Sequence, residues 1–171
     1  MTTGRASDAM AGEIRHWLVK TEPDVFSIDD WNRLPGKTTG WDGVRNYQAR
    51  NFMRDSMKFG DGVLIHHSNS DPPAIVGRAS VASRRAIPDP TAWDPNDPHF
   101  DPKSTADEPR WMMVELKLEE IFPEPLSLDR LRGEKSLAEM ELLRRGSRLS
   151  VQPVKASEWK RILAMAGGAK R

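Results

Sequence analysis

The alternation of apolar and polar residues is clearest in RWMMVELKLEEIF (110–122). Met112, Val114, Leu116 and Leu118 fall on one face, and Met113, Glu115, Lys117 and Glu119 on the other, with Trp111 beside them. That period of two predicts a strand with one wet side. HWLVKTE (16–22) alternates and predicts a shorter strand ended by Pro23. GVLIHHS (62–68) is an apolar run bounded by turn residues and predicts a buried strand. AIVGRASVASRRAI (74–87) predicts a long strand bent at Gly77, after a turn at Asp71-Pro72-Pro73. SRLSVQPV (147–154) predicts a strand that Pro153 places at an edge or end.

Helical spacing is strongest in NYQARNFMRDSMKFGDG (46–62). Ala49, Phe52, Met53 and Met57 form one stripe, Asn46 can cap its start, and Gly60-Asp61-Gly62 closes it. SIDDWNRL (27–34) predicts a short helix capped by Ser27, with Asp30 three residues on, and stopped by Pro35-Gly36. LSLDRLRG (126–133), SLAEMELLRRG (136–146) and SEWKRILAMA (157–166) predict three more, the last capped by Ser157. LPGKTTGWDG (34–43) reads as loop. Residues 88–109 hold six prolines and six acidic groups, too many for a regular element. A loop of that length is functional or disordered, and Trp93, His99 and Phe100 within it suggest that it packs against something. Strands and helices do not alternate regularly, so an α+β domain around a small, mostly antiparallel β-barrel flanked by short helices fits better than a doubly wound sheet. One domain is expected over 15–167, with a disordered lead-in at 1–14 and a tail at 168–171.

Composition narrows the classes. The chain has 171 residues and no cysteine, which excludes disulfides and thiolate metal sites and is compatible with a cytoplasmic location. The first residues contain no apolar signal segment, and nowhere do 18 apolar residues run together. Net charge is +1, from 26 basic and 25 acidic side chains, which argues against a protein that grips long duplex DNA by charge alone. The charge is unevenly spread: residues 88–132 carry a net −6 and residues 133–171 a net +5. A basic segment suits a phosphate backbone, and equally an ordinary solvated surface. Six tryptophans stand against one tyrosine, either as core or as flat surfaces for a planar ring.

The densest chemistry is in GWDGVRNYQARN (40–51). Gly43 permits a left-handed turn that sets Trp41 just before a helix start, with Arg45 and Arg50 nearby. An aromatic face beside backbone donors and a cation can hold a planar ligand; the same residues also suit a tight loop with a core tryptophan. His66 and His67 are neighbours in a strand and point to opposite faces, so they do not share a metal, and no metal site is expected. RRGSRLSVQP (144–153) places three arginines around a Gly-Ser turn. There is no GxSxG, no P-loop and no GxGxxG, and nothing in the sequence joins Glu22 and Asp42 into an acid–base pair. Neither catalytic residues nor a cofactor are expected.

Six segments, in order and over His16 to Ala166, resemble one known family: KTEPDVFSIDD (20–30), WDGVRNYQARN (41–51), HHSNSDPPAIVG (66–77), the PDPTAWDP…DPKS stretch (88–104), PRWMMVEL (109–116) and LLRRGSRLSVQPV (142–154). They are similar to the EVE domain, a member of the PUA-like superfamily. The resemblance implies a small β-barrel flanked by helices, related to domains that read methylated adenine in RNA and methylated cytosine in DNA. It implies a non-enzymatic module for a modified nucleobase, modified cytosine foremost, in DNA or RNA. The base would be flipped into an aromatic pocket. Trp41 would wall that pocket. Gly43, Val44, Arg45 and Asn46 would shape a turn and supply donors, and Lys20 and Glu22 would stand at its mouth. His67 and Ser68 would supply edge contacts, and Arg148, Leu149 and Ser150 would touch backbone or base. His66 stands where the family pattern has tyrosine. The partner expected is nucleic acid carrying a modified base, bound by a monomer with no membrane involved. A pocket for a free nucleoside or other planar metabolite, a base- or RNA-modifying enzyme, and a protein-interaction module remain open alternatives.

Overall fold

The computed structural model describes residues 15–167; the lead-in and the tail expected from the sequence lie outside the described residues. The strands are β1 (His16–Thr21), β2 (Thr38–Gly40), β3 (Gly62–His67), β4 (Ala74–Val81), β5 (Ile87–Pro88), β6 (Met112–Met113), β7 (Glu115–Ser127) and β8 (Val151–Val154). The α-helices are α1 (Ile28–Asn32), α2 (Tyr47–Asn51), α3 (Leu128–Arg132) and α4 (Ala156–Met165). Six strands form one mixed sheet in the order β2-β7-β4-β3-β1-β8, curled into a half-barrel, and β5 pairs with β6 separately. All pairings are antiparallel except β1 with β3. A parallel pair needs a long crossover. Here the crossover is residues 22–61; it carries α1 and α2 over one face of the sheet and contributes β2 to its edge.

Both faces of the sheet are covered. Trp17, Val19, Val63, Ile65, Leu116, Leu118 and Val151 pack with Trp31, Trp41, Ala49 and Met53 of the crossover. Leu18, Leu64, Ile75, Phe122 and Leu126 pack on the other face with Leu131, Leu137, Met140 and Ile162. Double coverage is why β3 reads as an apolar run, and why the alternation expected in HWLVKTE (16–22) is not realised: Trp17, Leu18 and Val19 of β1 are all buried. The alternating face expected in 110–122 is real: Val114, Leu116 and Leu118 are buried while Glu115, Lys117 and Glu119 are exposed. β7 continues to Ser127 despite Pro123 and Pro125, because its register against β4 shifts between Ile75 and Gly77, so both prolines fall where the ladder is interrupted. Gly77 is required there, since a Cβ would collide with the Glu120 carbonyl and lie 2.5 Å from Ile28 Cδ1.

Several local expectations hold in detail. Ser27 Oγ accepts from Asp30 N at 3.0 Å and Asp30 Oδ2 accepts from Ser27 N at 3.0 Å, a reciprocal cap for α1. Asn46 Oδ1 accepts from Ala49 N at 2.8 Å and starts α2. Others are corrected. The helix expected over 46–62 is α-helical only to Asn51, continues as one π turn (Phe52–Ser56), and becomes extended at Met57. Residues 136–146 form two 3-10 turns, Lys135–Leu137 and Glu141–Leu143, separated by the extended, buried Met140. α4 starts one residue before Ser157, with the Lys155 N–H donating to Glu158 Oε1 at 2.9 Å. β2 lies in a stretch read as loop; three residues on a sheet edge carry no periodicity to detect.

One buried group has a measurable consequence. His66 is 3% exposed, and neither ring nitrogen has a hydrogen-bond partner. Burial first, then Lys20 and His67, lower its pKa to about 4. The folded protein therefore holds His66 neutral where the unfolded chain protonates it, and stability falls as pH drops from 6.5 towards 4. At pH 5 the loss is roughly 2 kcal/mol relative to pH 7. Urea denaturation of wild type at the two pH values should show it, and His66→Phe should remove most of the difference, leaving the shares of His16 and His67, which burial also lowers. An unchanged pH dependence in His66→Phe would assign the effect elsewhere.

Candidate functional site

A cavity of 610 Å³ opens between the end of β1, where the crossover leaves the sheet, and the segment that follows β2. The end of β1 supplies Lys20, Thr21 and Glu22, and the next turn Val25 and Phe26. The far side is Thr39 to Asn46, with Ser150 from the approach to β8 and His99 from the proline-rich loop. That volume is typical of small-ligand pockets.

The turn at 42–46 is held from outside by the acidic loop. Gly43 has φ +77°, and a Cβ on it would lie 2.8 Å from His99 Cε1, so glycine is needed both for the turn and for the ring above it. Asp89 is fully buried, and its carboxylate accepts from Gly43 N (2.8 Å), Arg45 Nη1 (3.0 Å), Thr91 N (2.9 Å) and Thr91 Oγ1 (2.6 Å). Arg45 also donates to the His99 carbonyl at 2.7 and 3.0 Å and to Thr91 Oγ1 at 3.0 Å. Burial works to raise the Asp89 carboxyl, but the hydrogen bonds from Thr91, Gly43 and Arg45 outweigh it and hold it below its ordinary value. The long loop is therefore ordered by one arginine, and one cavity wall is ordered by the loop.

The apolar wall is Trp41 and Phe26. Trp41 is 7% exposed and lies 5.2 Å from Trp31 and 6.3 Å from Phe26, ring centre to ring centre. Trp31 is itself fixed by donation from Nε1 to the Lys37 carbonyl at 2.8 Å. Thr21 Oγ1 donates to the Phe26 carbonyl at 2.7 Å and pins that turn to β1. Trp41 thus belongs to the core and to the cavity at once.

Three charged groups reach the cavity without a side-chain hydrogen bond among the described residues, Asp42, Glu22 and Lys20. Asp42 is exposed at the mouth, yet its carboxyl is raised, first by partial burial between the walls and then by the Asp89 carboxylate. Lys20 is lowered by burial, an effect that Glu141 opposes. The cavity therefore offers an acceptor and a donor beside an aromatic wall. Among the described residues, no three His, Asp or Glu side chains converge as a metal site requires.

Of the residues singled out from the sequence, Lys20, Glu22, Trp41, Gly43, Val44, Arg45, Asn46 and Ser150 line this one cavity. The structure places the other four outside its lining. His67 Nε2 accepts from Ile28 N at 3.1 Å, an N-terminal partner for α1. Ser68 N donates to the Thr21 carbonyl at 2.9 Å, extending the β1–β3 pairing. Leu149 packs on the main core and Arg148 is exposed. Sequence reasoning did not assign Phe26, Val25, Thr39, Asp89 or His99 to the site. Only for His99 was there a signal, as one of the three residues Trp93, His99 and Phe100 in a loop rich in prolines and acids.

The EVE domain profile matches residues 15–165. Thymocyte nuclear protein 1 of Rattus norvegicus is 41% identical over 167 residues, covering 88% of this chain and 73% of the relative. A Pseudomonas syringae protein of known crystal structure is 44% identical, with a TM-score of 0.83 over 88% of this chain and 99% of the other. The human THYN1 protein, solved in complex with DNA containing 5-methylcytosine, is 38% identical, with a TM-score of 0.83 over 89% of this chain and 97% of the other. A matching profile over nearly all described residues, with relatives at this identity and coverage, makes the chain a member of the EVE domain family.

Proposed function

We propose that this chain is a non-enzymatic reader of modified cytosine in DNA, taking the base out of its stack into the cavity between Trp41, Phe26 and the 42–46 turn. The observation that carries the reading is Asp42, an exposed carboxylate without a hydrogen-bond partner at the mouth of an aromatic-walled cavity. The human relative's DNA complex supports the choice of 5-methylcytosine. Cytosine presents an N4 amino donor, which a carboxylate accepts. Thymine shares the 5-methyl group but presents a carbonyl at that position, which a carboxylate repels. A reader of 5-methylcytosine must make that distinction, and on this reading Asp42 makes it, Glu22 being the other carboxylate of the cavity lining. Lys20, on the opposite wall, suits the base carbonyl at O2. Extrusion of the base costs a few kcal/mol, offset by contact with the aromatic wall. The module works as a monomer in the cytoplasm on this reading, and no bond is made or broken.

The test compares Asp42→Asn with wild type on oligonucleotides carrying 5-methylcytosine, cytosine or thymine at one position. An amide can turn either its oxygen or its nitrogen to the base, so the preference for 5-methylcytosine over thymine should shrink by about tenfold. The same substitution removes a carboxylate whose charge burial disfavours, so the variant should melt at a higher temperature than wild type. An undiminished preference over thymine would remove Asp42 from the base edge. Wild type that binds free nucleoside as well as oligonucleotide would move the reading to a small-molecule pocket.

A further inference from the structure

Beside the cavity lies a second aromatic surface that the base pocket does not use. Tyr47 directly follows Asn46 of the cavity lining and is 50% exposed. Its ring stacks on Trp111 with 4.7 Å between centres and 22° between planes. Trp111 is buried and fixed from behind: Nε1 donates to Asp101 Oδ2 at 2.7 Å, and the Arg45 guanidinium lies 5.3 Å from its ring. The Arg50 guanidinium is 4.8 Å from the Tyr47 ring and 5.8 Å from Trp111. A group on the outer face of Tyr47 would lie about twice the ring spacing from Trp111. Arg50 therefore sits beside the pair, and the outer face of Tyr47 is open. Arg110 Nη1 approaches the Tyr47 hydroxyl at 3.4 Å. Neither Arg50 nor Arg110 is ion-paired with a carboxylate among the described residues, whereas Arg54 alongside is paired with Asp55.

An aromatic ring backed by a second ring, half exposed to solvent, and flanked by two guanidinium groups that make no ion pair has the make-up of a nucleotide platform. We propose that Tyr47 stacks the base adjoining the extruded one, with Arg50 and Arg110 on the phosphate next to it. The proposal rests on the cavity reading a base within a strand. A nucleotide entering the cavity past Asn46 leaves its neighbour at the cavity lip, where Tyr47 stands. Because the ring is already stacked on Trp111, little side-chain freedom is lost when a base settles on it. The platform would hold a neighbouring base of any identity, since every base has a flat face.

The experiment is a double-mutant cycle on 5-methylcytosine oligonucleotides, with the nucleotide on one side or the other of the modified base replaced by an abasic residue. Wild type should lose about tenfold in affinity when one of the two flanking bases is removed. Tyr47→Ala should lose the same factor on the intact oligonucleotide and nothing further on that abasic one. Tyr47→Phe, which keeps the ring, should recover the affinity. Arg110→Gln should lower the slope of log affinity against log salt by about one phosphate contact. Tyr47→Ala that binds the intact oligonucleotide like wild type, or that loses affinity equally on intact and abasic strands, overturns the platform. Wild type that prefers 5-methylcytosine while Tyr47→Ala is indistinguishable sinks the platform alone. Wild type with no such preference sinks the cavity reading and the platform with it.

Discussion

Trp41→Ala should destabilise the protein by about 3–5 kcal/mol, the cost of removing a buried indole from a packed core. Trp41 is 7% exposed and shares its surroundings with Trp31, Phe26 and Val44, so the deletion leaves a void that two rigid rings and a stiff valine do not fill. Its backbone N–H donates to the Val114 carbonyl at 2.8 Å, which pins that segment to the sheet and prevents collapse into the space. Urea denaturation measures the loss directly. Binding must be compared at a denaturant-free temperature where the variant is folded, because the same ring walls the cavity. Trp41→Phe separates the two roles: it keeps an aromatic wall and loses part of the packing, so it should recover most of the affinity but not all of the stability. A destabilisation below about 1 kcal/mol in Trp41→Ala would mean that the ring is not a core member.

Asp89→Ala should cost about 3 kcal/mol and slacken the site as well. Removing the carboxylate leaves the Arg45 guanidinium, the Gly43 N–H and the Thr91 N–H without their shared acceptor. Breaking one side of a buried charge pair costs about 3–5 kcal/mol, and Arg45 keeps 22% exposure, which puts the loss at the lower end. Since the 88–104 segment is latched through this residue and Arg45, limited proteolysis should cut it faster in the variant. The pH dependence has a definite sign. The folded-state pKa of Asp89 is lowered from 3.8, so its contribution is complete above 3.8 and is lost as pH falls through the lower folded value. His66 therefore acts between 6.5 and 4, and Asp89 only below 3.8, where the lowered carboxyls of Asp30, Asp55, Asp101 and Glu141 act as well. Asp89→Ala should flatten the profile below pH 3.8 without removing its slope, and leave the range above 4 unchanged. An Asp89→Ala profile as steep as wild type below pH 3.8 would contradict the latch.

How far the sequence reached is visible in particular residues. Period and caps are local, so β1, β3 and β7, the Ser27–Asp30 cap and the Asn46 cap were legible from neighbours along the chain. The six ordered segments were enough to identify the family. The length of the second helix was not legible, because the stripe from Ala49 to Met57 is satisfied equally by an α turn followed by a π turn. Nor were the 3-10 turns at 135–143, where the burial of Leu137, Met140 and Leu142 overrides helical propensity.

What the sequence determined by itself was the placement of β1, β3 and β7, the helix starts at Ser27 and Asn46, and the need for glycine at 43; of the twelve residues it singled out, eight line one cavity. What only the tertiary structure decided was how those residues are used. Trp41 is both core and wall because Trp31 and Phe26, distant in sequence, close on it. Arg45 is a latch because Asp89 and the His99 carbonyl, more than forty positions away, converge on it. Tyr47 is stacked yet half exposed because Trp111, more than sixty positions away, packs against its ring. Periodicity and capping act over a few residues and are written in the chain. Burial, charge pairing and ring stacking depend on which distant segments meet, and that is set only when the sheet brings them together.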